Sequence, residues 1–213
     1  MQRRYKAIVF DLGNVLIPFD YTRIVKNLNA VEAKLGDKFY RKYMDNYEIH
    51  RRYERWDLSD EEFIGIMLQW LNNKISSEKF CQVYSDLFTV DSNVAGLLPI
   101  LKDKYKLVLL SNTNHIHQKY GWGKYDFLKY FDGLILSHEV GSTKPENKIY
   151  RAVEKVTLGL PEQHFYIDDI EEYIQAAEKL GWNGIVFKGY DDLITNLKSR
   201  NILLMYHSAQ STS

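Results

Sequence analysis

Acidic, basic and hydroxyl side chains follow short apolar runs of this chain at separate places. Asp11 ends the run IVFD, and Ser111-Asn112 ends the run VLLSN. Lys144 stands in GSTKPE, and Asp168-Asp169 ends FYIDD. If the runs are neighbouring parallel strands, their carboxyl ends meet at one edge of a sheet, where open α/β folds bind ligands. The pattern predicts one site with three carboxylates, a lysine and a hydroxyl–amide pair.

These residue types together favour phosphoryl transfer. Three carboxylates repel one another, and some would take up protons unless cations compensate their charge. Mg²⁺ prefers oxygen ligands and commonly binds one or two carboxylates with water and phosphate oxygens. Lys144 would supply a second positive charge for a phosphoryl group. Ser111 and Asn112 would donate to phosphate oxygens, and a carboxylate beside the metal can act as nucleophile through an aspartyl phosphate.

Each of these residues also has an ordinary structural explanation when it stands alone. An aspartate after a strand often serves in a turn or a helix cap, and so does an Asp-Asp pair before a helix. Pro145 at the start of a helix is common, and Ser-Asn after a strand is common in turns. The joint occurrence of these residues at successive strand ends is what indicates a site.

The elements that must position these residues are short strands that alternate with helices. We predict strands at residues 6–10, 107–110, 134–136, 165–167 and 184–187. Helical patterns occur at residues 94–104, 146–156, 171–180 and 193–199. This alternation predicts a doubly wound parallel sheet, a Rossmann-like α/β core covered on both faces.

Between about residues 20 and 90 the alternation stops, and the sequence predicts consecutive helices at 22–35, 38–55, 60–71 and 77–87. Ser59 and Ser76 stand where helix N-caps are expected, and Gly181 stands where a C-cap is expected. We therefore predict an α/β core at 1–19 and 91–205, an inserted helical cap at 20–90 and a flexible tail at 206–213.

Composition bears on the partners and the location of the protein. Lys+Arg and Asp+Glu are both 28, so the chain has no net basic field to hold a nucleic acid. No run reaches the roughly 20 apolar residues of a membrane helix, and Asp11 interrupts the apolar stretch that would resemble a signal peptide. Cys81 is the only cysteine, which agrees with a reducing compartment. We expect a cytoplasmic protein with a small-molecule partner; the oligomeric state is not predicted.

The segments IVFDLGNVLIPFD, VLLSNTNH, GSTKPENKIY and FYIDDIEE resemble the four motifs of the haloacid dehalogenase superfamily. The closest resemblance is to its glucose-1-phosphatase-like members and to the phosphatase domain of soluble epoxide hydrolases. It covers nearly the whole chain, including the helical insertion. The resemblance implies a Mg²⁺-dependent phosphohydrolase that acts on a small phosphomonoester, with a sugar phosphate as the favoured class.

The resemblance also implies a role for each matching residue. Asp11 would be the nucleophile and a metal ligand. Ser111 and Asn112 would hold the phosphoryl group, and Lys144 would neutralise both Asp11 and that group. The remaining matching residues would bind the metal. The carbonyl of Gly13 and the side chain of Asp169 would bind it directly, and Asp168 would act through water.

Two positions depart from the superfamily pattern. Its phosphatases usually place a second aspartate, the general acid, two residues after the nucleophile, and Gly13 stands there instead. Glycine followed by asparagine recurs in the glucose-1-phosphatase-like group, yet it leaves the acid unassigned. Asp20, Glu172 and a metal-held water are the candidates. Tyr173 stands where relatives often carry Asn or Asp in support of the metal.

Several histidines have patterns that could indicate a metal or a base. His115 and His117 share an H-x-H spacing, but no third ligand accompanies them, so zinc is disfavoured. His138-Glu139 follows a predicted strand and is interpreted as a local hydrogen-bonding pair.

In the predicted cap, Tyr47, Arg51 and Glu54 are spaced to share one helix face. We interpret this face as solvated. The alternative is that this end of the cap, through the segment Arg55-Trp56-Asp57, closes over the core site and contacts the substrate.

Alternative functions remain open. A 2-haloacid dehalogenase would use the same aspartate on a carbon centre without Mg²⁺, and Asp168-Asp169 beside Lys144 argue against it. A non-catalytic phosphate-binding or regulatory protein stays open because of Gly13 and Tyr173. A phosphomutase would need an acid–base group to return the phosphoryl, and Gly13 disfavours it.

Overall fold

A parallel five-stranded sheet forms the centre of the structure, a computed structural model that describes residues 4–203. The strands are β1 (Ala7–Phe10), β2 (Lys106–Ser111), β3 (Gly133–Leu136), β4 (His164–Asp168) and β5 (Asn183–Val186). Their spatial order is β3-β2-β1-β4-β5, and every neighbouring pair is parallel. The predicted parallel sheet is confirmed.

Helices accompany the strands within residues 4–203. The α-helices are α1 (Thr22–Asn29), α2 (Leu35–Asp45), α3 (Tyr47–Glu54), α4 (Asp60–Trp70), α5 (Ser77–Ser85), α6 (Ser92–Ala95), α7 (Leu98–Lys102), α8 (Ser137–Val140), α9 (Asn147–Thr157), α10 (Glu171–Lys179) and α11 (Tyr190–Ser199). The structure also contains a π-helix at His117–Trp122 and 3₁₀ turns at Asp126–Tyr130 and Pro161–Gln163. The sequence patterns did not predict these segments.

Apolar side chains cover both faces of the sheet. Successive residues of a strand point to opposite faces, so Ile8 and Phe10 join one buried cluster and Val9 joins another. Helices α7 and α11 contribute to the first cluster, whereas α9 and α10 contribute to the second. The sheet is therefore covered on both faces, as a doubly wound α/β core requires.

Helices α1 to α5 surround a buried cluster of their own, which includes Phe39 and Phe63. The two connections to the sheet run side by side: Phe19 pairs with Phe88 in an antiparallel bridge, and the Asp20 N–H donates to the Leu87 carbonyl at 2.9 Å. We propose that residues 20–90 form a cap domain on a core that includes residues 4–19 and 91–203. The remaining residues of the predicted core, 1–3 and 204–205, lie outside the described residues. The predicted tail at 206–213 lies outside the described residues.

The predicted cap helix at 38–55 is wrong in one respect, because it is two helices. α2 ends at Asp45 and α3 begins at Tyr47. Asn46 between them has a φ of −128°, and its side-chain nitrogen donates to the Lys42 carbonyl at 2.8 Å. An asparagine that bonds a nearby carbonyl competes with the helical backbone and ends the helix.

The predicted helices at 22–35 and 94–104 are also interrupted. α1 ends at Asn29, and α2 begins after a turn that brings Gly36 against the backbone of Val25, where a Cβ would lie 2.2 Å from the Val25 carbonyl oxygen. α6 ends at Ala95 because Pro99 has no N–H to bond the Ala95 carbonyl, and its ring would collide with that carbonyl in a continuous helix.

The predicted caps are confirmed. Ser59 forms a capping box with Glu62, and the Ser76 side chain accepts from the Lys79 N–H at 3.2 Å. Gly181 follows α10 with a φ of +95°, a conformation that favours glycine. No helix in the part of the chain from 4 to 203 is long and apolar enough to cross a membrane.

Candidate active site

The structure brings the three predicted carboxylates together at the carboxyl edge of the sheet. Asp11 follows β1, Asp168 ends β4, and Asp169 comes next. One oxygen from each carboxylate lies within 4.8 Å of the others. Asp11 and Asp168 are buried, and Asp169 is half-buried. The parallel pairing of β1 with β4 places these residues side by side.

Lys144 lies between two of these carboxylates. Its Nζ is 2.8 Å from Asp11 Oδ1 and 2.7 Å from Asp168 Oδ2, and only 1% of its side chain is exposed. Burial would lower the pKa of Lys144, but the charges of Asp11 and Asp168 raise it above its ordinary value. Lys144 is therefore a fixed, buried cation in the site.

The carboxylates still have more negative charge than Lys144 compensates. Burial raises the pKa of Asp11 to about 7 against the effect of Lys144, and the charge of Asp168 adds to the rise. Burial also raises the pKa of Asp169, although the Asn14 side-chain nitrogen donates to it at 3.0 Å. Buried carboxylate oxygens with uncompensated negative charge suit a hard divalent cation such as Mg²⁺.

Asp168 is held in place by bonds to both of its oxygens. Oδ2 accepts from Lys144 and from the Tyr166 hydroxyl, and Oδ1 accepts from the Ile170 N–H at 2.8 Å. These contacts suit the implied role of Asp168 through water, whereas Asp169 has fewer protein contacts and suits direct ligation.

Ser111 and Asn112 follow one another at the end of β2, and both line the site. Asn112 is tied to the Lys144 main chain: its Oδ1 accepts from the Lys144 N–H at 2.7 Å, and its Nδ2 donates to the Lys144 carbonyl at 3.1 Å. Its side chain thus positions Lys144. A contact of Asn112 with the phosphoryl group stays a prediction and would have to come from its main chain.

Tyr173, the second departure from the superfamily pattern, contacts the lysine and not the carboxylates. Its ring centre lies 4.9 Å from Lys144 Nζ, a cation–π geometry. The Asn112 Nδ2 atom lies 3.4 Å from its hydroxyl, and the Tyr150 hydroxyl donates to its carbonyl at 2.9 Å. Tyr173 therefore forms an aromatic wall beside the cation.

A cavity of about 390 Å³ opens over this edge of the sheet. Its floor contains Asp11, Asp169, Lys144 and Ser111, and its roof comes from the helical insertion. Tyr47, Arg51 and Glu54 all line it, so the interpretation of their face as merely solvated is wrong. Tyr47 and Glu54 are half-buried, whereas Arg51 is exposed. Helix spacing shows a shared face but carries no information about what lies opposite it.

The turn after α3 joins the insertion to the core. Arg55 forms an ion pair with Glu146, and its Nη2 lies 3.3 Å from Thr143 Oγ1. The Trp56 ring centre lies 6.3 Å from those of His115 and His138. The structure therefore agrees with the alternative interpretation, in which this end of the cap closes over the site.

The other histidines have structural contacts. His115 pairs with Asp60 at 2.6 Å, and the His117 ring stacks on Tyr84 with centres 4.3 Å apart. His138 contacts the Thr113 carbonyl at 3.2 Å and Gln118 Oε1 at 3.1 Å, so its interpretation as a pair with Glu139 is wrong. Within residues 4–203 the only cluster of three potential metal ligands is that of the aspartates.

Neither of the two side chains that were candidates for the general acid lies in the cavity wall. Asp20 accepts from the N–H and hydroxyl of Thr22 at 2.9 and 2.7 Å, and neither Asp20 nor Glu172 is among the described residues that line the cavity. His50, which the sequence patterns did not indicate as a site residue, lines the cavity and contacts Glu54. Their i,i+4 spacing in a helical pattern was the available signal.

Comparisons with known proteins agree with this geometry. D-ribitol-5-phosphate phosphatase of Bacteroides thetaiotaomicron is 28% identical over 188 residues, 83% of this chain and 89% of that one. Phosphorylated carbohydrates phosphatase of Thermotoga maritima is 25% identical over 185 residues, 83% of this chain and 82% of that one. A haloacid dehalogenase family enzyme from B. thetaiotaomicron, solved in complex with magnesium and inorganic phosphate, has a TM-score of 0.74 and 26% identity, and the match covers 89% of this chain and 98% of that one.

The family is shown by a match that spans most of the sequence. A model of the haloacid dehalogenase-like hydrolases matches residues 5–181. That range contains β1 to β4, the helical insertion and every aspartate of the carboxylate cluster. The chain belongs to the haloacid dehalogenase-like hydrolase family.

Proposed function

We propose that the protein is a Mg²⁺-dependent phosphatase that removes the phosphoryl group from a small sugar or polyol monophosphate. The observation that carries the proposal is the cluster of Asp11, Asp168 and Asp169, with oxygens within 4.8 Å of one another and Lys144 between two of them. The substrate class is supported by the relatives, which are a D-ribitol-5-phosphate phosphatase and a phosphorylated carbohydrates phosphatase.

The donor set fits magnesium, because it consists of carboxylate oxygens whose burial leaves negative charge to be compensated. Asp11, Asp169 and the carbonyl of Gly13 would hold the ion directly, and Asp168 would act through water. When bound, Mg²⁺ would supply positive charge that offsets the charge of the phosphoryl oxygens. The related structure in complex with magnesium and inorganic phosphate supports this assignment.

The side chains of the site have complementary roles in phosphoryl transfer. A carboxylate oxygen of Asp11 attacks the phosphorus, the bond from phosphorus to the leaving oxygen breaks, and an aspartyl phosphate forms. Lys144 stays charged and stabilises the transferred group, while the Ser111 hydroxyl donates to a phosphoryl oxygen. Water then attacks the phosphorus, the bond to Asp11 breaks, and inorganic phosphate leaves.

Gly13 has no side chain to protonate the leaving oxygen, and neither Asp20 nor Glu172 lines the cavity, so the proton would come from water. Substrates whose leaving oxygen needs little protonation, such as anomeric sugar phosphates, acyl phosphates and aryl phosphates, should therefore undergo the fastest phosphoryl transfer. A cap over the site favours metabolite-sized substrates over macromolecules. We also propose a cytoplasmic location, supported by the single cysteine.

The test is phosphate release from a panel of sugar, polyol and aryl monophosphates, with and without Mg²⁺ after exhaustive chelation, beside a set of 2-haloacids. We expect phosphate release that depends on the metal. Metal-independent release of halide would favour the dehalogenase alternative. Phosphate binding without turnover of any substrate would favour a non-catalytic protein.

A further inference from the structure

A buried chain of polar side chains runs through the cap and ends at the cavity. His50 Nε2 lies 3.1 Å from Glu54 Oε1, and His50 Nδ1 lies 2.6 Å from the Tyr43 hydroxyl and 2.9 Å from the Tyr84 hydroxyl. The two hydroxyls are 3.3 Å apart. Tyr43, His50 and Tyr84 are all buried.

The chemistry of these groups determines the direction of the hydrogen bonds. A carboxylate only accepts, so His50 Nε2 carries a proton and donates to Glu54. In the neutral imidazole Nδ1 then accepts, and the Tyr43 hydroxyl can donate to it while Tyr84 donates to Tyr43. Since buried, mutually bonded groups are held rigidly, the Glu54 carboxylate is fixed in the cavity wall.

Glu54 lines the cavity together with three tyrosines, which are Tyr21 and Tyr47 of the cap and Tyr173 of the core. Burial raises the pKa of Tyr21, Tyr47 and Tyr173, and the charge of Glu54 raises each of them further. Tyr173 borders Lys144, so one cavity contains both Glu54 and the site where the phosphoryl group would be held.

Three arginines of the cap, Arg51, Arg52 and Arg55, also line the cavity, and all three are more exposed than Glu54. Arg51 is exposed and lies over the Tyr47 ring at 5.9 Å, so solvent screens it. Arg55 is already paired with Glu146. Only 13% of the Glu54 side chain is exposed, which leaves its charge far less screened. The cap side of the cavity therefore has a fixed acceptor with negative charge.

We infer that Glu54, oriented by His50, is a specificity-determining residue that selects neutral, hydroxyl-bearing leaving groups. A carboxylate has about four acceptor positions, and His50 uses one of them. The others can take hydroxyl groups of a sugar or polyol. A leaving group with its own carboxylate or second phosphate is repelled at the same place. This inference rests on the proposed phosphatase function and specifies its substrate class.

The test compares a polyol monophosphate with an aryl phosphate, both at saturating Mg²⁺. Glu54→Ala should lower kcat/KM for the polyol monophosphate by about 10- to 100-fold, the effect of losing a hydrogen bond to a charged acceptor. Activity on the aryl phosphate, which has no hydroxyl to present, should fall by a much smaller factor, and thermal unfolding verifies the fold of the variant. Asp45→Ala, which removes an exposed carboxylate at the end of α2, is the control and should change neither value.

Monodeoxy analogues of the polyol phosphate separate recognition from a structural role. In the wild type, one analogue should have a lower kcat/KM than the full polyol phosphate, because it lacks the hydroxyl that donates a hydrogen bond to Glu54. In Glu54→Ala that analogue and the full polyol phosphate should have the same kcat/KM. If every analogue lowers kcat/KM by the same factor in the wild type and in Glu54→Ala, the inference is overturned. Glu54→Gln should raise kcat/KM for a phosphorylated hydroxy acid, and an unchanged value would refute the repulsion.

The outcomes also distinguish this inference from the function on which it rests. If the wild type releases no phosphate from any substrate, the phosphatase proposal fails. If the wild type is active and Glu54→Ala keeps the wild-type ratio of polyol to aryl activity, only the assignment of Glu54 fails.

Discussion

The Nζ atom of Lys144 lies 2.8 Å from a carboxylate oxygen of Asp11, and the side chains are only 1% and 9% exposed. In such a buried pair neither charge is screened by water, so each depends on the other. Asp168, at 2.7 Å from the same Nζ atom, makes the lysine the common partner of two carboxylates. Lys144 therefore has both a structural and a catalytic task.

Replacement of Lys144 tests this double task. Lys144→Met should lower the free energy of unfolding by about 3–5 kcal/mol, because it leaves buried carboxylates without a partner. Turnover of an aryl phosphate should also fall by about 10²–10³-fold, as for loss of a charge-stabilising group. Denaturant unfolding without Mg²⁺ and steady-state kinetics with it give the two values. Lys148→Met, at an exposed lysine of α9, is the control, and equal behaviour of the two variants would refute the assignment.

Magnesium should stabilise the folded protein as well as activate it. A ligand present at 100 times its Kd stabilises the state that binds it by about 2.7 kcal/mol, so Tm should rise with the Mg²⁺ concentration. Asp169→Asn should shift this rise to higher concentrations because it removes a carboxylate ligand. Asp20→Asn keeps an acceptor for the Thr22 N–H outside the cavity and should behave as wild type. A Tm that is independent of Mg²⁺ in the wild type would contradict the metal site.

The floor of the site could be predicted because its residues are tied to strand ends. Asp11 follows β1, Ser111 ends β2 and Asp168 ends β4, so the apolar runs alone place them at one sheet edge. Parallel pairing then leaves little freedom in their relative positions. The polar contacts among them were not predictable, since the bond from Asn112 to the Lys144 backbone joins segments far apart in the sequence.

The roof of the site could not be predicted in the same way. The spacing of Tyr47, Arg51 and Glu54 shows that they share a helix face, but it does not show that the face covers the cavity. Local competition for hydrogen bonds also changed the helices themselves, as at Asn46, whose side chain bonds the Lys42 carbonyl. The interruption between α2 and α3 sets the orientation of α3. It depends on side-chain hydrogen bonds that helical periodicity in the sequence does not predict.

Gly13→Asp should reduce the difference in kcat/KM between aryl phosphates, which have good leaving groups, and alkyl phosphates, which have poor ones. A general acid typically contributes about 10²–10⁴-fold, so a carboxyl group at this position should help alkyl phosphates more than aryl phosphates. A Cβ at Gly13 would lie 3.3 Å from Phe19 Cε1, and Phe19 is 37% exposed, so its ring can move outward. The readout is the ratio of kcat/KM for the two classes. Gly13→Ala is the control, and equal wild-type activity on both classes would show that another residue supplies the proton.

Acid should destabilise the protein partly through His117. Burial lowers the pKa of His117 well below its ordinary value. Because the unfolded chain takes up a proton near its ordinary pKa of about 6.5 and the folded chain does not, stability falls as the pH drops below that value. His117→Phe, which can keep the ring stack on Tyr84, should lose less Tm between pH 7 and pH 5. Identical pH profiles for the two proteins would argue against a buried neutral His117.

The proposed mechanism depends most on Asp11 as the acceptor of the phosphoryl group. The most direct measurement is single-turnover phosphate release from an aryl phosphate by Asp11→Asn, at saturating Mg²⁺ and with the fold verified by thermal unfolding. Because an amide is a poor phosphoryl acceptor, we expect release to be slower than in the wild type by at least about 10³-fold, the scale on which enzymes lose activity when a nucleophile is removed. Release at close to the wild-type rate would contradict nucleophilic catalysis by Asp11.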